Sequence, residues 1–265
     1  MPAKPITITG RTTVLGVIGD PLVQAASPAM INRELSSRGE DAVLVPLGTH
    51  EDQLASMLDG LRSTFTFGGA VVTMPHKQAV LALLDHLTPR AEELQAVNVI
   101  RRSPHGELTG DMLDGVGFLA GLKPLIADLE GKRVLVVGAG GAASAIAFAC
   151  ARAGADLGVV NRTSERAELL AHRMQVAGLS GTLVTNPTSE WDVVVNATRV
   201  GLLADDGLPV AEVVLASQPI VSDIVMTTQP DTALLRAAAA AGCTHQDGRP
   251  MLQGQVRLMI EFMLG

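Results

Sequence analysis

One stretch of the 265-residue chain combines residue types and spacing suited to holding phosphates: Val134-Leu-Val-Val-Gly138-Ala-Gly140-Gly-Ala-Ala143, an apolar run that breaks into glycines and then into an alanine-rich helix. Gly138 can turn tightly, Gly140 lets the backbone approach a pyrophosphate, and Ala143 is small enough for close helix–strand packing. Phosphates over Gly138, Ala139, Gly140, Gly141 and Ala142 would meet helix N–H groups that lack intrahelical partners, at the positive end of the helix dipole. By itself the pattern also suits a glycine-rich turn in some other α/β protein. The next strand, Leu157-Gly-Val-Val160, adds information because it stops at Asn161-Arg162-Thr163, where a dinucleotide fold reads the adenosine ribose. An acid there would accept from a free 2′-hydroxyl. Asn161 stands there instead, with Arg162 beside it and Arg166 one helical turn on, so two guanidinium groups could clamp a 2′-phosphate. This favours NADP over NAD. If both arginines are simply solvated, Asn161 and Thr163 would bind a free ribose and NAD becomes the cofactor.

A second set of residues suits proton handling. Thr73-Met-Pro75-His-Lys77 ends an apolar strand, which puts Thr73 and Lys77 at the carboxyl end of a parallel sheet, where such folds place ligands. Lys77 is one of only four lysines, and it falls in what reads as the first turn of a helix from His76 to Leu84, the wrong end of the dipole for a cation. Asp114, Asn98 and Gln255 each have an ordinary reading as well: a turn residue, a strand-end amide and a helix-face polar group.

The elements that must position these groups alternate along the chain. Strands are expected at Val14 to Ile18, Val43 to Val45, Gly69 to Thr73 and Val97 to Arg101, with helices at Pro28 to Ser37, Asp52 to Leu61, His76 to Leu84 and from Pro89, behind Thr88 as N-cap. This reads as a first βαβ lobe. After the turn Arg102-Ser-Pro-His-Gly-Glu, Gly110-Asp111-Met-Leu-Asp114-Gly115 leads into the nucleotide lobe, with strands near Val134, Leu157, Leu183, Val193 and Val221. Met251 to Met263 reads as a terminal amphipathic helix. The expected fold is α/β in two lobes: residues 1–112, completed by about 249–265, for substrate, and 113–248 as a Rossmann lobe.

Composition agrees. Hydrophobic residues make up 47% with 2% aromatic and no tyrosine, which suits buried parallel strands of Val, Leu, Ile and Ala. A net charge of −7 without a basic run argues against nucleic acid as a partner. Cys150 and Cys243 read as small core residues in a reducing compartment, and the six histidines show no metal-ligand spacing. No signal-like apolar segment and no run of about 18 apolar residues is present, so a membrane is not expected and the cytoplasm is. The expected partner is a small-molecule substrate, and the chain is expected to be a monomer or homodimer.

Taken together, the motifs resemble those of the shikimate dehydrogenase family. The matching pieces span nearly the whole chain: Gly19-Asp-Pro21, Ser27-Pro28, Thr73-Met-Pro-His-Lys77, Ala96-Val-Asn98, Asp114-Gly115-Val-Gly117, Gly138 to Ala143, Asn161-Arg-Thr163, Asn196-Ala-Thr198 and Asp247-Gly-Arg-Pro-Met-Leu-Gln-Gly-Gln255. The resemblance implies a catalytic Lys77–Asp114 pair, substrate contacts from Ser27, Thr73, Asn98 and Gln255, and further cofactor contacts from Ala197, Thr198 and Gly248. It implies hydride transfer between NADP and a ring hydroxyl of a small cyclic hydroxy acid such as shikimate, with the C-terminal helix returning to the first lobe. A quinate- or aminoshikimate-type enzyme using NAD, or a nucleotide sensor without turnover, is the alternative.

Departures from that family are as informative. Its first loop carries two serines separated by one residue, and these and a tyrosine late in the nucleotide lobe reach the substrate carboxylate; here Ala25 stands at the first serine, Ser27 keeps the second and Met226 takes the tyrosine's place, so two of three carboxylate contacts are missing. Val71 replaces an asparagine, and Met112-Leu113 replace Asn-Thr before Asp114. The hydroxyl-oxidising side is retained while the carboxylate side has become apolar, so shikimate itself is expected to be a poor substrate.

Overall fold

The computed structural model describes residues 7–188, 190–227 and 231–265. The chain divides into two compact units, one that ends at Leu113 and takes back Gln255–Gly265, and a second spanning Asp114–Gly254.

The first unit contains β1 (Thr13–Gly19), α1 (Ser27–Arg38), β2 (Ala42–Gly48), α2 (Leu54–Ser63), β3 (Phe67–Val72), β4 (His86–Leu87), α3 (Pro89–Leu94), β5 (Val99–Arg102) and β6 (Leu108–Asp111). Its sheet runs β2-β1-β3-β5-β6-β4. Strands β1, β2 and β3 are parallel, but β5 pairs antiparallel with both β3 and β6, so the lobe is a mixed sheet rather than the expected βαβ repeat. Local chemistry sets the helix ends. Pro28 in the first turn of α1 suits its fixed φ, Gly39 ends that helix at φ 71°, and the Thr88 hydroxyl caps α3 by accepting from Ala91 N at 3.2 Å. Ile18, Leu54, Leu58, Phe67, Val72, Ile100 and Leu108 pack into one core.

The helix expected from His76 to Leu84 is not there. A turn follows β3, then a 3-10 helix spans Ala79–Leu83. The cause is long-range: Val97 N donates to the Lys77 carbonyl at 2.7 Å, taking the acceptor that an α-helix would give to Leu81, and Leu81 N turns to Gln78 O instead. Lys77 therefore sits in a turn, and the helix dipole has no bearing on it.

The second unit contains α4 (Asp114–Leu122), β7 (Arg133–Val137), α5 (Gly141–Arg152), β8 (Asp156–Val160), α6 (Ser164–Val176), β9 (Thr182–Leu183), β10 (Val193–Asn196), β11 (Ile220–Asp223), α7 (Ala233–Ala240) and β12 (His245–Gln246). The unit boundary falls inside α8 (Arg249–Leu264). All six strands pair in parallel, in the order β12-β11-β10-β7-β8-β9. That is the doubly wound arrangement whose order reverses between β7 and β10, and ligands bind beyond the strand carboxyl ends at such a reversal. Helix α4 lies close against α5, since a Cβ on Gly115 would come within 2.4 Å of the Ala145 carbonyl oxygen. Among the described residues no helix is long and apolar enough to cross a membrane.

Candidate active site

In the first unit the strand ends bring several predicted residues together through the backbone. Val72 N donates to the Asn98 carbonyl at 2.8 Å, His76 N to the Thr73 carbonyl at 3.0 Å, and Val97 N to that of Lys77. Thr73, Lys77 and Asn98 are thus stitched to one edge of the sheet. Gly19 makes room there, because a Cβ would lie 2.4 Å from Thr73 Cγ2. The Asn98 side chain is buried and held at both ends: its Nδ2 donates to Gln255 Oε1 at 2.9 Å and its Oδ1 accepts from Leu113 N at 2.8 Å. Gln255, 157 positions away, is buried beside it. Ser27 is buried at the start of α1.

Asp114 follows Leu113 directly and is buried in the first turn of α4, where the dipole favours a carboxylate. The strand leading to it is braced by a contact that sequence reasoning missed. Arg90 donates to buried Asp111 through Nε at 3.0 Å and Nη2 at 2.5 Å, and Thr88 Oγ1 adds a third bond at 2.6 Å. Burial opposes ionisation of Asp111, but Arg90, Thr88 and Met112 N outweigh it and hold the carboxyl below its ordinary value. Two histidines were missed as well. His50 Nδ1 and Asp20 Oδ2 lie 2.7 Å apart, and the fully buried His76 donates from Nε2 to the Thr49 carbonyl at 2.7 Å. A signal was available for Asp20, His50 and His76, which come shortly after the ends of β1, β2 and β3.

In the second unit the glycine loop sits at the sheet's reversal point. Gly138 has φ 122° and donates its N–H to Val160 O at 2.7 Å; a Cβ there would lie 2.8 Å from the Ala197 carbonyl oxygen. The loop after β7 is therefore in contact with the Ala197-Thr198 loop after β10. Gly140 caps α5 at φ −82°, with open space where a Cβ would be. Asn161 Nδ2 donates to the Thr163 carbonyl at 2.8 Å, a bond that rounds the turn after β8, and Arg162 and Arg166 are exposed there. Gly248 is buried, and a Cβ on it would come within 2.7 Å of Ile224 O.

Asn196 links this region to a carboxylate that sequence reasoning also missed. Its Oδ1 accepts from Thr198 N and Oγ1, and its Nδ2 donates to Asp223 Oδ1 at 2.9 Å. Asp223 Oδ2 accepts from Thr232 Oγ1 at 2.6 Å. Burial pushes the Asp223 carboxyl up to about 6; the bonds from Thr232, Val225 N and Asn196 offset part of this, and the charge of Asp247 adds to it. A carboxyl whose folded pKa exceeds its unfolded one contributes stability below the unfolded value and loses it as pH rises through the folded value. The penalty on the folded state above pH 7 is on the order of 3 kcal/mol. Asp223→Asn should flatten that dependence, so the variant gains stability relative to the parent at pH 8 but not at pH 4. Urea unfolding of both proteins at the two pH values measures it, and an unchanged difference would show that Asp223 stays ionised in the fold.

The described residues include no group of three potential metal ligands. Cys150 and Cys243 are buried free thiols, and burial pushes Cys150 up to about 12.

Comparisons with known proteins match these two units separately. Residues 17–100 match a family model for the shikimate dehydrogenase substrate binding domain, and residues 122–204 match one for shikimate / quinate 5-dehydrogenase. A shikimate dehydrogenase (NADP(+)) of Rubrobacter xylanophilus is 39% identical over 92% of this chain and 88% of its own. The shikimate 5-dehydrogenase of Thermus thermophilus, solved in complex with NADP(H) and shikimate, superposes with a TM-score of 0.82 at 34% identity over 95% of this chain and 93% of that one. A 5-ketofructose reductase from a Gluconobacter strain, solved without ligand, gives 0.81 at 33% identity over 97% and 94%. With one model matched in each unit and such identity over nearly its full length, the chain belongs to the shikimate dehydrogenase family.

Proposed function

We propose that this chain is an NADP-dependent oxidoreductase of shikimate dehydrogenase type, moving a hydride between the nicotinamide and a CH–OH group of a small, hydroxylated ring compound. The single observation that carries the reading is the buried Asn98–Gln255 amide pair, bonded at the same sheet edge as Thr73 and Lys77. Amides that both donate and accept suit substrate hydroxyls. Support also comes from the relatives, one of which is solved with NADP(H) and shikimate and another of which is a 5-ketofructose reductase.

Residues 1–112, with about 249–265, form the substrate lobe in this reading, and 113–248 the cofactor lobe. Bound NADP supplies or receives the hydride. Lys77 takes the hydroxyl proton during oxidation and returns it during reduction. Asp114 is its acidic partner and orients the substrate hydroxyl by a charge-assisted hydrogen bond. Ser27, Thr73, Asn98 and Gln255 hold the remaining hydroxyls. The residues present fit a dinucleotide: Gly138 to Ala142 cap α5 with open space at Gly140, Ala197 and Thr198 stand across the reversal point, Gly248 belongs to the same set, and Asn161, Arg162, Thr163 and Arg166 follow β8. Two buried free thiols and a net charge of −7 suit a cytoplasmic enzyme acting on small molecules, with no call on nucleic acid or membrane.

Absorbance of the reduced cofactor with a panel of cyclic hydroxy compounds tests the activity. The cofactor choice has its own test. Arg162→Ala should weaken NADP about tenfold or more, the loss of one charge-assisted contact, and leave NAD nearly unchanged. Titration of both cofactors measures it, and equal losses would rule out a 2′-phosphate clamp.

A further inference from the structure

The charges along the carboxyl edge of the first unit's sheet are already spoken for. Asp20 directly follows β1 and meets His50 after β2 at 2.7 Å. Strand β6 ends at Asp111, which takes both arms of Arg90. His76 is buried with its Nε2 on the Thr49 carbonyl. His50, Arg90 and the Nε2 of His76 thus each meet an acceptor of the same unit, and Lys77 is assigned to the reacting oxygen in the reading above.

The other groups at this edge are neutral. Val71, Met112 and Leu113 are buried and apolar, and Ala25 and Ala26 precede Ser27 in the β1–α1 loop. Ser27, Thr73, Asn98 and Gln255 carry hydroxyls and amides, which donate and accept, as substrate hydroxyls do; a carboxylate only accepts. The start of α1 offers an anion little, since Pro28 removes one N–H, Met30 N is already bonded to the Ala26 carbonyl at 3.2 Å, and the Asp20 carboxylate stands in the same loop. A carboxylate placed at such an edge would leave water, meet the apolar Val71, Met112 and Leu113, and have to draw its charge-assisted bonds from the few neutral donors that the substrate hydroxyls also need.

We propose that the substrate of this chain is an uncharged polyhydroxy ketone, reduced to the corresponding alcohol, rather than a carboxylic acid. This rests on the oxidoreductase reading above and narrows its substrate class. In the reduction the carbonyl carbon gains a hydride as NADPH becomes NADP⁺, the C=O π bond opens, and the oxygen takes a proton from Lys77, which is reprotonated from solvent.

The test compares 3-dehydroshikimate with its methyl ester, and both with 5-ketofructose, at saturating NADPH. The ester removes the charge and keeps the ring. We expect kcat/KM for the ester to exceed that for the acid about 10–100-fold, the scale of one or two unreplaced contacts to an ionised group. 5-Ketofructose should likewise outrun the acid. Ala25→Ser, which restores one donor, should raise use of the acid more than use of the ester, because the bond to an ionised acceptor is the stronger. Preference for the acid over its ester overturns the proposal while the oxidoreductase reading stands. Failure to oxidise NADPH with any of the three overturns both.

Discussion

Replacing Lys77 by Ala should lower turnover by about 10²–10⁴-fold, the scale of losing a positioned general acid–base group. Its fold cost should be small. Lys77 holds Val97 through its backbone carbonyl, a bond that alanine retains, and its half-buried side chain lies outside both the α-helices and the sheet ladder. The groups assigned to the dinucleotide follow other strands, β7, β8, β10 and β12, so NADP affinity should be unchanged. Steady-state kinetics combined with a direct NADP titration separates the roles. A variant that keeps kcat and only raises KM would make Lys77 a binding residue and move the proton elsewhere. A chain that oxidises or reduces no ring compound with Lys77 intact would fit a nucleotide sensor instead.

The two-lobe α/β class was legible in the alternation of strands and helices, while several of the elements within it were not. Thr73 and Lys77 stand out because a polar pair after an apolar run must face the carboxyl end of a strand. Gly138 stands out because only a glycine makes its turn cheaply, and Gly140 because it leaves the backbone bare at the start of a helix. The neighbourhood of Asn98 and Gln255 could not be read from spacing, since their contact closes 157 positions of chain and came only through family resemblance. Helix or turn after Pro75 was decided by the Val97 N–H, far along the chain, which local periodicity cannot register. Strand β6 escaped notice because Leu108-Thr-Gly-Asp111 has a single bulky apolar residue; it is recruited by antiparallel pairing with β5, around Gly106 at φ 91°. Asp111 and Asp223 carry no sequence signal of their roles, because a buried carboxylate differs from an exposed one only in the partners that folding supplies.

The largest cofactor effect should come from the glycine that the fold itself does not need. At Gly138 the backbone has φ 122°, and a Cβ would press on the Ala197 carbonyl at 2.8 Å, so Gly138→Ala should cost stability of about 1–3 kcal/mol through strain and displacement of two loops. Gly140 differs. Its φ of −82° is open to any residue, and a Cβ meets nothing within 4 Å. The unfolded-chain entropy lost by Gly140→Ala, about 0.4–1 kcal/mol, roughly offsets the poorer cap. The apo protein should therefore unfold at nearly the parent's temperature. A methyl group in that open space stands where the pyrophosphate must approach the α5 N–H groups, and pushing the phosphates away from two such bonds should weaken NADP on the order of 10²–10³-fold. NAD should weaken as much, because the pyrophosphate is common to both, in contrast to the selective loss at Arg162. Paired measurements of apo melting temperature and of both cofactor affinities decide it. Unaltered affinity in a normally folded Gly140→Ala would mean that the phosphates do not rest on the start of α5, and Gly138 would then be a turn glycine with no ligand to serve.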